Sequence, residues 1–65
     1  MKPHEIRGYM LLQNFNSADV ARKLGVSRAA VHQVINGEAV SARISAEIAR
    51  IIGKPVSEIW PGRAA

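Results

Sequence analysis

The sequence predicts an all-α fold, a compact bundle of four to five short helices. Apolar residues recur every three or four positions, and no stretch keeps the strict alternation of apolar and polar residues that is typical of a strand. Helix-stopping residues separate the apolar stretches at Gly25, Asn36-Gly37 and Gly53. The chain has 65 residues, 48% of them hydrophobic and 22% charged, which suits one small globular domain over residues 1–65.

The first helix is predicted from Pro3 to about Asn14. Proline suits the first turn of a helix, because its missing N–H would have no partner there. The spacing of the apolar residues then selects one face of the helix as the face that packs on the core. The residues expected on this inward face are Ile6, Tyr9, Met10 and either Leu12 or Gln13.

The second and third helices are predicted over about 18–24 and about 28–36. Ser17 and Ser27 are expected to cap them, since a serine hydroxyl accepts a hydrogen bond from the free N–H groups at a helix start. Gly25 ends the second helix, because glycine adopts a positive φ without steric cost. These signals predict two short helices joined by a turn of about three residues.

The fourth helix is predicted over about 42–52, with isoleucines along one face. Ser57 is expected to cap one last turn that ends at Trp60. Ile59 and Trp60 suit either the core or a contact between two copies of the chain, since aromatic and large apolar residues favour both settings. Residues 62–65 are expected to fray.

Residues 17–37 therefore form a predicted helix-turn-helix unit. Ala21 is small, which allows the second and third helices to approach each other closely, and Gly25 permits the turn four residues later. The apolar residues that fasten the two helices to the core are Val20, Leu24, Val31 and Val34.

The outer face of the third helix carries small and polar residues, and an exposed helix of this kind fits the major groove of DNA. Arg28 suits two acceptors on guanine, and Gln33 suits the edge of adenine. His32 can donate or accept a hydrogen bond, and Ala29 can contact a thymine methyl group. We expect these four residues to contact bases.

The charge balance points to an acidic partner, which is double-stranded DNA in this interpretation. Nine Lys and Arg residues against five Asp and Glu residues give a formal net charge of +4. Such an excess attracts the phosphates of a nucleic acid. The residues expected to contact or attract the DNA backbone are Ser17, Ser27, Arg22, Lys23 and Arg43.

The central pattern of the motif consists of a small residue, a turn and two apolar positions, namely Ala21, Gly25-Val26-Ser27, Val31 and Val34. On the basis of this pattern, residues from about Ile6 to Trp60 resemble the small helix-turn-helix regulators of the lambda repressor and Cro class. The segment 57–61 further resembles the Ner-like phage regulators and their bacterial relatives. The resemblance implies a lambda repressor-like helical bundle that binds operator DNA and usually represses transcription.

The resemblance also implies which positions face DNA, and it shows one departure. Many relatives carry basic residues just after the third helix, whereas this chain has Glu38 there. An acidic side chain at this point weakens the expectation of a phosphate contact from the loop. The positions that the resemblance places against DNA are Ser17, Arg28, Ala29, His32, Gln33 and Arg43.

Several other classes of function are not expected. Without cysteine, and with no third ligand beside His4 and His32, we expect no metal site and no cofactor. No Ser, His and acid arrangement suggests an enzyme, and a chain of this size leaves little room for a walled small-molecule site. No apolar run approaches the roughly 18 residues of a membrane span, so we expect a cytoplasmic, nucleoid-associated protein.

The leading hypothesis is a sequence-specific DNA-binding regulator of phage or prophage type, a transcriptional repressor that contacts the major groove with helix 28–36. The alternative is a protein-interaction module, such as an antitoxin-like domain that binds a partner protein. Glu38 and the modest net charge favour this alternative. The sequence leaves open whether the chain acts as a homodimer.

Overall fold

The computed structural model describes residues 1–62, which form five helices and contain no strand. The all-α prediction is confirmed. No helix in these residues is long and apolar enough to span a membrane. Three of the four residues of the predicted frayed tail, 63–65, lie outside the described part of the chain. The helices are α1 Pro3–Leu12, α2 Ser17–Leu24, α3 Arg28–Ile35, α4 Ala42–Ile52 and α5 Val56–Ile59.

The turn between α2 and α3 has the predicted geometry. Gly25 ends α2 with a φ of 69°, in the left-handed region that favours glycine. A Cβ at Gly25 would meet no atom within 4 Å, so the backbone conformation and not close packing requires glycine here. Ser27 caps α3 as predicted, since its Oγ accepts a hydrogen bond of 3.0 Å from the N–H of Ala30.

The core lies where α1, α2, α3 and α4 meet, and α5 closes one end of it. Ile59 is fully buried and Trp60 is 6% exposed, so both belong to the core. The amino group of Met1 donates to the carbonyl of Ile59 at 2.7 Å and holds the two ends of the fold together. The other buried apolar residues are Ile6, Met10, Val20, Ala21, Val31, Val34, Ile35, Ile44, Ile48 and Ile51.

The inward face of α1 is narrower than predicted. Ile6 and Met10, one turn apart, are its buried residues. Tyr9 is 43% exposed, with the Lys54 ammonium 6.0 Å from its ring centroid. Leu12 is 76% exposed and ends the helix, and Gln13 is exposed as well. Helix α1 therefore contacts the core through the single stripe formed by Ile6 and Met10.

Two predicted serine caps are wrong. Asn16, not Ser17, caps α2: its Oδ1 accepts from the N–H of Asp19 at 2.9 Å, and Asp19 Oδ2 accepts from the N–H of Asn16 at 2.9 Å. This reciprocal capping box satisfies two donors at once, which moves the helix start one residue earlier. Ser57 lies inside α5, which begins at Val56 after the extended Pro55.

Candidate nucleic-acid interface

Helix α3 has two distinct faces. Val31, Val34 and Ile35 are at most 1% exposed and attach the helix to the core. The residues predicted to contact bases all lie on the opposite side, where their side chains are exposed and make no hydrogen bond or ion pair within residues 1–62. These residues are Arg28, Ala29, His32 and Gln33. The structure therefore brings them together on one accessible helix surface, next to the turn that begins at Gly25.

The cationic side chains divide into paired and unpaired groups. In residues 1–62, ion pairs join Arg22 to Asp19, Lys23 and Arg50 to Glu47, and Lys54 to Glu58. A charge that already has a partner is less available to a second one. The cations that make no ion pair in this part of the chain are Lys2, Arg7, Arg28 and Arg43.

Arg43 lies beside the turn of the helix-turn-helix unit. It is the second residue of α4, and its Nη2 donates to the carbonyl of Leu24 at 2.9 Å. This carbonyl is one of those left without a partner at the end of α2. A guanidinium has five N–H donors, so this bond leaves Arg43 further donors for a phosphate. Its exposed position is compatible with the predicted backbone contact.

Two of the predicted backbone residues, Arg22 and Lys23, take part in ion pairs. Lys23 Nζ lies 2.9 Å from Glu47, and Arg50 donates to the same carboxylate at 2.6 Å and 3.1 Å. The hydrogen bonds from Arg50 lower the pKa of the Glu47 carboxyl to about 2, with a further contribution from Lys23 and against the opposing effect of burial. Glu47 thereby links α2 to α4.

The two serines predicted to contact phosphate have different surroundings. Ser27 is exposed, and its Oγ is engaged in the cap of α3. Ser17 is the first residue of α2 and only 9% exposed, yet its hydroxyl makes no hydrogen bond within residues 1–62. Arg7, which the sequence pattern does not single out, lines a small recess with Ser17. No spacing rule reveals this neighbour, because it arises from the packing of α1 beside the start of α2.

The family comparison agrees with this geometry. A family model described as helix-turn-helix matches residues 6–59, which is most of the chain. No curated protein and no solved structure matches the chain significantly. The match includes both helices of the helix-turn-helix unit and the surrounding core. The chain therefore belongs to the XRE-type, lambda repressor-like family of DNA-binding helix-turn-helix regulators.

Proposed function

We propose that the chain binds double-stranded DNA sequence-specifically and represses transcription, as regulators of phage or prophage type do. One observation carries this proposal: α3 presents Arg28, His32 and Gln33 with no partner inside the fold, on a helix whose other face is fully buried. Free donors and acceptors on an exposed helix are what base recognition in the major groove requires. Helix α3 is the recognition helix in this proposal.

The proposed roles follow from the chemistry of each side chain. Arg28 donates to guanine, Gln33 pairs with adenine, and His32 donates to or accepts from a base edge. Ala29 contacts a thymine methyl group. The backbone contacts position the helix and add affinity without specificity. The residues proposed to contact the DNA backbone are Ser17, Ser27 and Arg43. Arg22 and Lys23 add positive electrostatic potential.

The cellular setting is part of the same proposal. The protein acts in the cytoplasm on the nucleoid, as a single domain without enzymatic activity, cofactor or small-molecule ligand. A homodimer would place two copies of α3 about 34 Å apart, which is one helical turn of DNA. A symmetric operator would therefore accompany a dimer.

Selection of bound duplexes from a random pool tests the proposal. The selected duplex should bind in the presence of competitor DNA, and its affinity should fall steeply with salt. In the Arg28→Ala variant, discrimination at one base pair should weaken by about 1–3 kcal/mol. Lys2→Gln removes one unpaired charge outside α3 and serves as the matched control. Equal base preferences in the Arg28→Ala variant and the wild type would remove Arg28 from base recognition.

A protein-interaction module, antitoxin-like in kind, is the second candidate. The observation that favours it is the exposure of Leu11 and Leu12 on α1, at 62% and 76%. Exposed large apolar residues that lie together often mark a protein contact. If no duplex is enriched from the pool, this candidate replaces the first, and Leu11→Ser with Leu12→Ser should then abolish binding to the partner protein.

A further inference from the structure

We propose that Glu38, in the loop that follows α3, determines specificity by accepting a hydrogen bond from the amino group of a cytosine in the major groove. This inference rests on the proposed function, in which α3 is the recognition helix. The proposed function assigns base contacts to residues of α3 and gives Glu38 no role. The new element is an acceptor beyond the end of the helix that selects one base and rejects the others.

The carboxylate of Glu38 differs from the other acids of the chain. The chain has five Asp and Glu residues, and all of them lie within residues 1–62. Four of them accept a hydrogen bond or form an ion pair there, namely Glu5, Asp19, Glu47 and Glu58. Glu38 is exposed, and its side chain makes neither within these residues. Its two oxygens are therefore available to a partner molecule.

The loop after α3 holds Glu38 next to the recognition helix. The backbone N–H of Glu38 donates to the carbonyl of Gln33 at 2.8 Å, and the N–H of Ala39 donates to the same carbonyl at 3.2 Å. Gly37, with a φ of 80°, allows the chain to turn back onto the helix end in this way. The position of Glu38 is therefore tied to that of Gln33, which the proposed function places against a base.

The short length of α3 also keeps this loop close to the DNA. The helix has eight residues, so it is about 12 Å long, which is close to the width of the major groove. Arg28 is its first residue, and Glu38 follows soon after its last residue, Ile35. A helix of this length that places Arg28 on a base edge therefore leaves Glu38 within the groove or at its rim.

Electrostatics decides which groups of the DNA this carboxylate can contact. Phosphates repel it, and its place at the negative end of the α3 dipole gives it no stabilising role in the fold. In the major groove, guanine and thymine present acceptors, adenine presents an acceptor beside its amino group, and cytosine presents an amino donor alone.

Cytosine is therefore the base whose edge matches an ionised carboxylate, which has acceptors only. Against any other base, the carboxylate of Glu38 would remain unpaired among phosphates. Such a repulsive element adds to specificity, because it penalises the wrong partner as well as favouring the right one.

Selection from a random duplex pool tests this role. The wild type should select cytosine at one position where Glu38→Ala reduces the preference by about 5-fold to 150-fold, the range for one base contact. Glu38→Gln keeps the length of the side chain and adds an amide. It should select adenine at the same position, because glutamine pairs with the N6 and N7 atoms of adenine.

Two comparisons separate base contact from charge. Glu38→Asp keeps the charge and draws the carboxylate back by one methylene, so it should weaken the cytosine preference. Arg28→Ala should change the preference at a different base pair and keep the cytosine preference, because Arg28 lies at the other end of α3. Far-UV circular dichroism checks that each variant is folded, and substitutions of the exposed Glu38 should leave stability nearly unchanged.

Failure of this role and failure of the proposed function give different results. If the wild type enriches no duplex, the proposed function is wrong, and the role of Glu38 falls with it. If the wild type enriches a duplex but Glu38→Ala and Glu38→Gln select the same bases as the wild type, the role of Glu38 is overturned and DNA binding stands. An equal gain in affinity for all sequences in both variants would also overturn it, because Glu38 would then only repel phosphates.

Discussion

Two charged regions of the molecule differ in what their side chains contact. Around Glu47, the ion pair with Lys23 joins α2 to α4, and the ion pair with Arg50 lies within α4. On the outer face of α3, Arg28 contacts no carboxylate, and His32 and Gln33 have no side-chain partner within residues 1–62. The ion pairs around Glu47 stabilise the packing of the helices, whereas the polar side chains on the outer face of α3 remain available to a binding partner.

The net charge of this small protein does not by itself show which of its cations are available to a partner. The formal charge of +4 is a sum over the whole chain and does not locate a binding surface. The position of each carboxylate decides which cations remain available. Here the unpaired guanidiniums of Arg7, Arg28 and Arg43 all belong to, or lie beside, the helix-turn-helix unit. In the proposed function, Arg28 contacts a base and Arg43 contacts the DNA backbone.

The largest effect should come from the apolar support beneath α3. Val34 is 1% exposed, whereas its neighbour Gln33 points outward. Val34→Ala should lower the free energy of unfolding by about 2 kcal/mol, because it removes buried methyl groups and leaves a cavity. Gln33→Ala should change it by less than about 0.5 kcal/mol. Urea denaturation measures both values, and a similar loss in the two variants would mean that the outer face also serves the fold.

The next effect concerns Glu47. Glu47→Gln should lower the free energy of unfolding by about 1 kcal/mol, a modest value because Lys23 and Arg50 are about half exposed and solvent screens the pairs. Glu38→Gln is the matched control, since Glu38 is exposed and makes no ion pair in the described residues. If both substitutions have the same effect in thermal unfolding, the Glu47 cluster does not stabilise the fold.

The same carboxylate gives the fold a dependence on acid. Its pKa falls from an ordinary value of 4.5 to about 2 in the folded chain, so the charged form stabilises the fold at pH values above 4.5. This contribution should disappear as the pH falls from about 4.5 to about 2, since the unfolded chain takes up the proton first. Stability measured against pH should decline less over this range in Glu47→Gln than in the wild type.

Local signals were sufficient to predict the helix-turn-helix unit. Gly25 and Ser27 act through their own backbone and side chain on residues a few positions away, so the sequence alone reveals them. The alternation of buried and exposed positions in α3 also follows from helical spacing. For this reason helical spacing predicts the four proposed base-contacting residues as one exposed group.

The orientation of α1 and the pairing of the cations were not predictable in the same way. Helix α1 carries apolar residues on several of its faces. Its packing against α3 and α4 decides that Met10 is buried and Leu12 is exposed. Likewise, Lys23 and Glu47 are 24 positions apart, so their ion pair depends on how α2 meets α4. Features that depend on contacts between residues far apart in the sequence can be identified only in the folded structure.

The smallest expected effect separates a paired arginine from an unpaired one. Arg43→Gln should reduce the salt slope of duplex binding by about 0.9 and weaken all sequences alike, because Arg43 has no carboxylate partner. Arg22→Gln should change the slope much less, since Asp19 already balances Arg22. Arg43→Lys keeps the charge but alters the bond to Leu24, so it separates the electrostatic effect from the structural one. Equal slopes for Arg43→Gln and Arg22→Gln would show that the ion pairs do not decide which cations contact DNA.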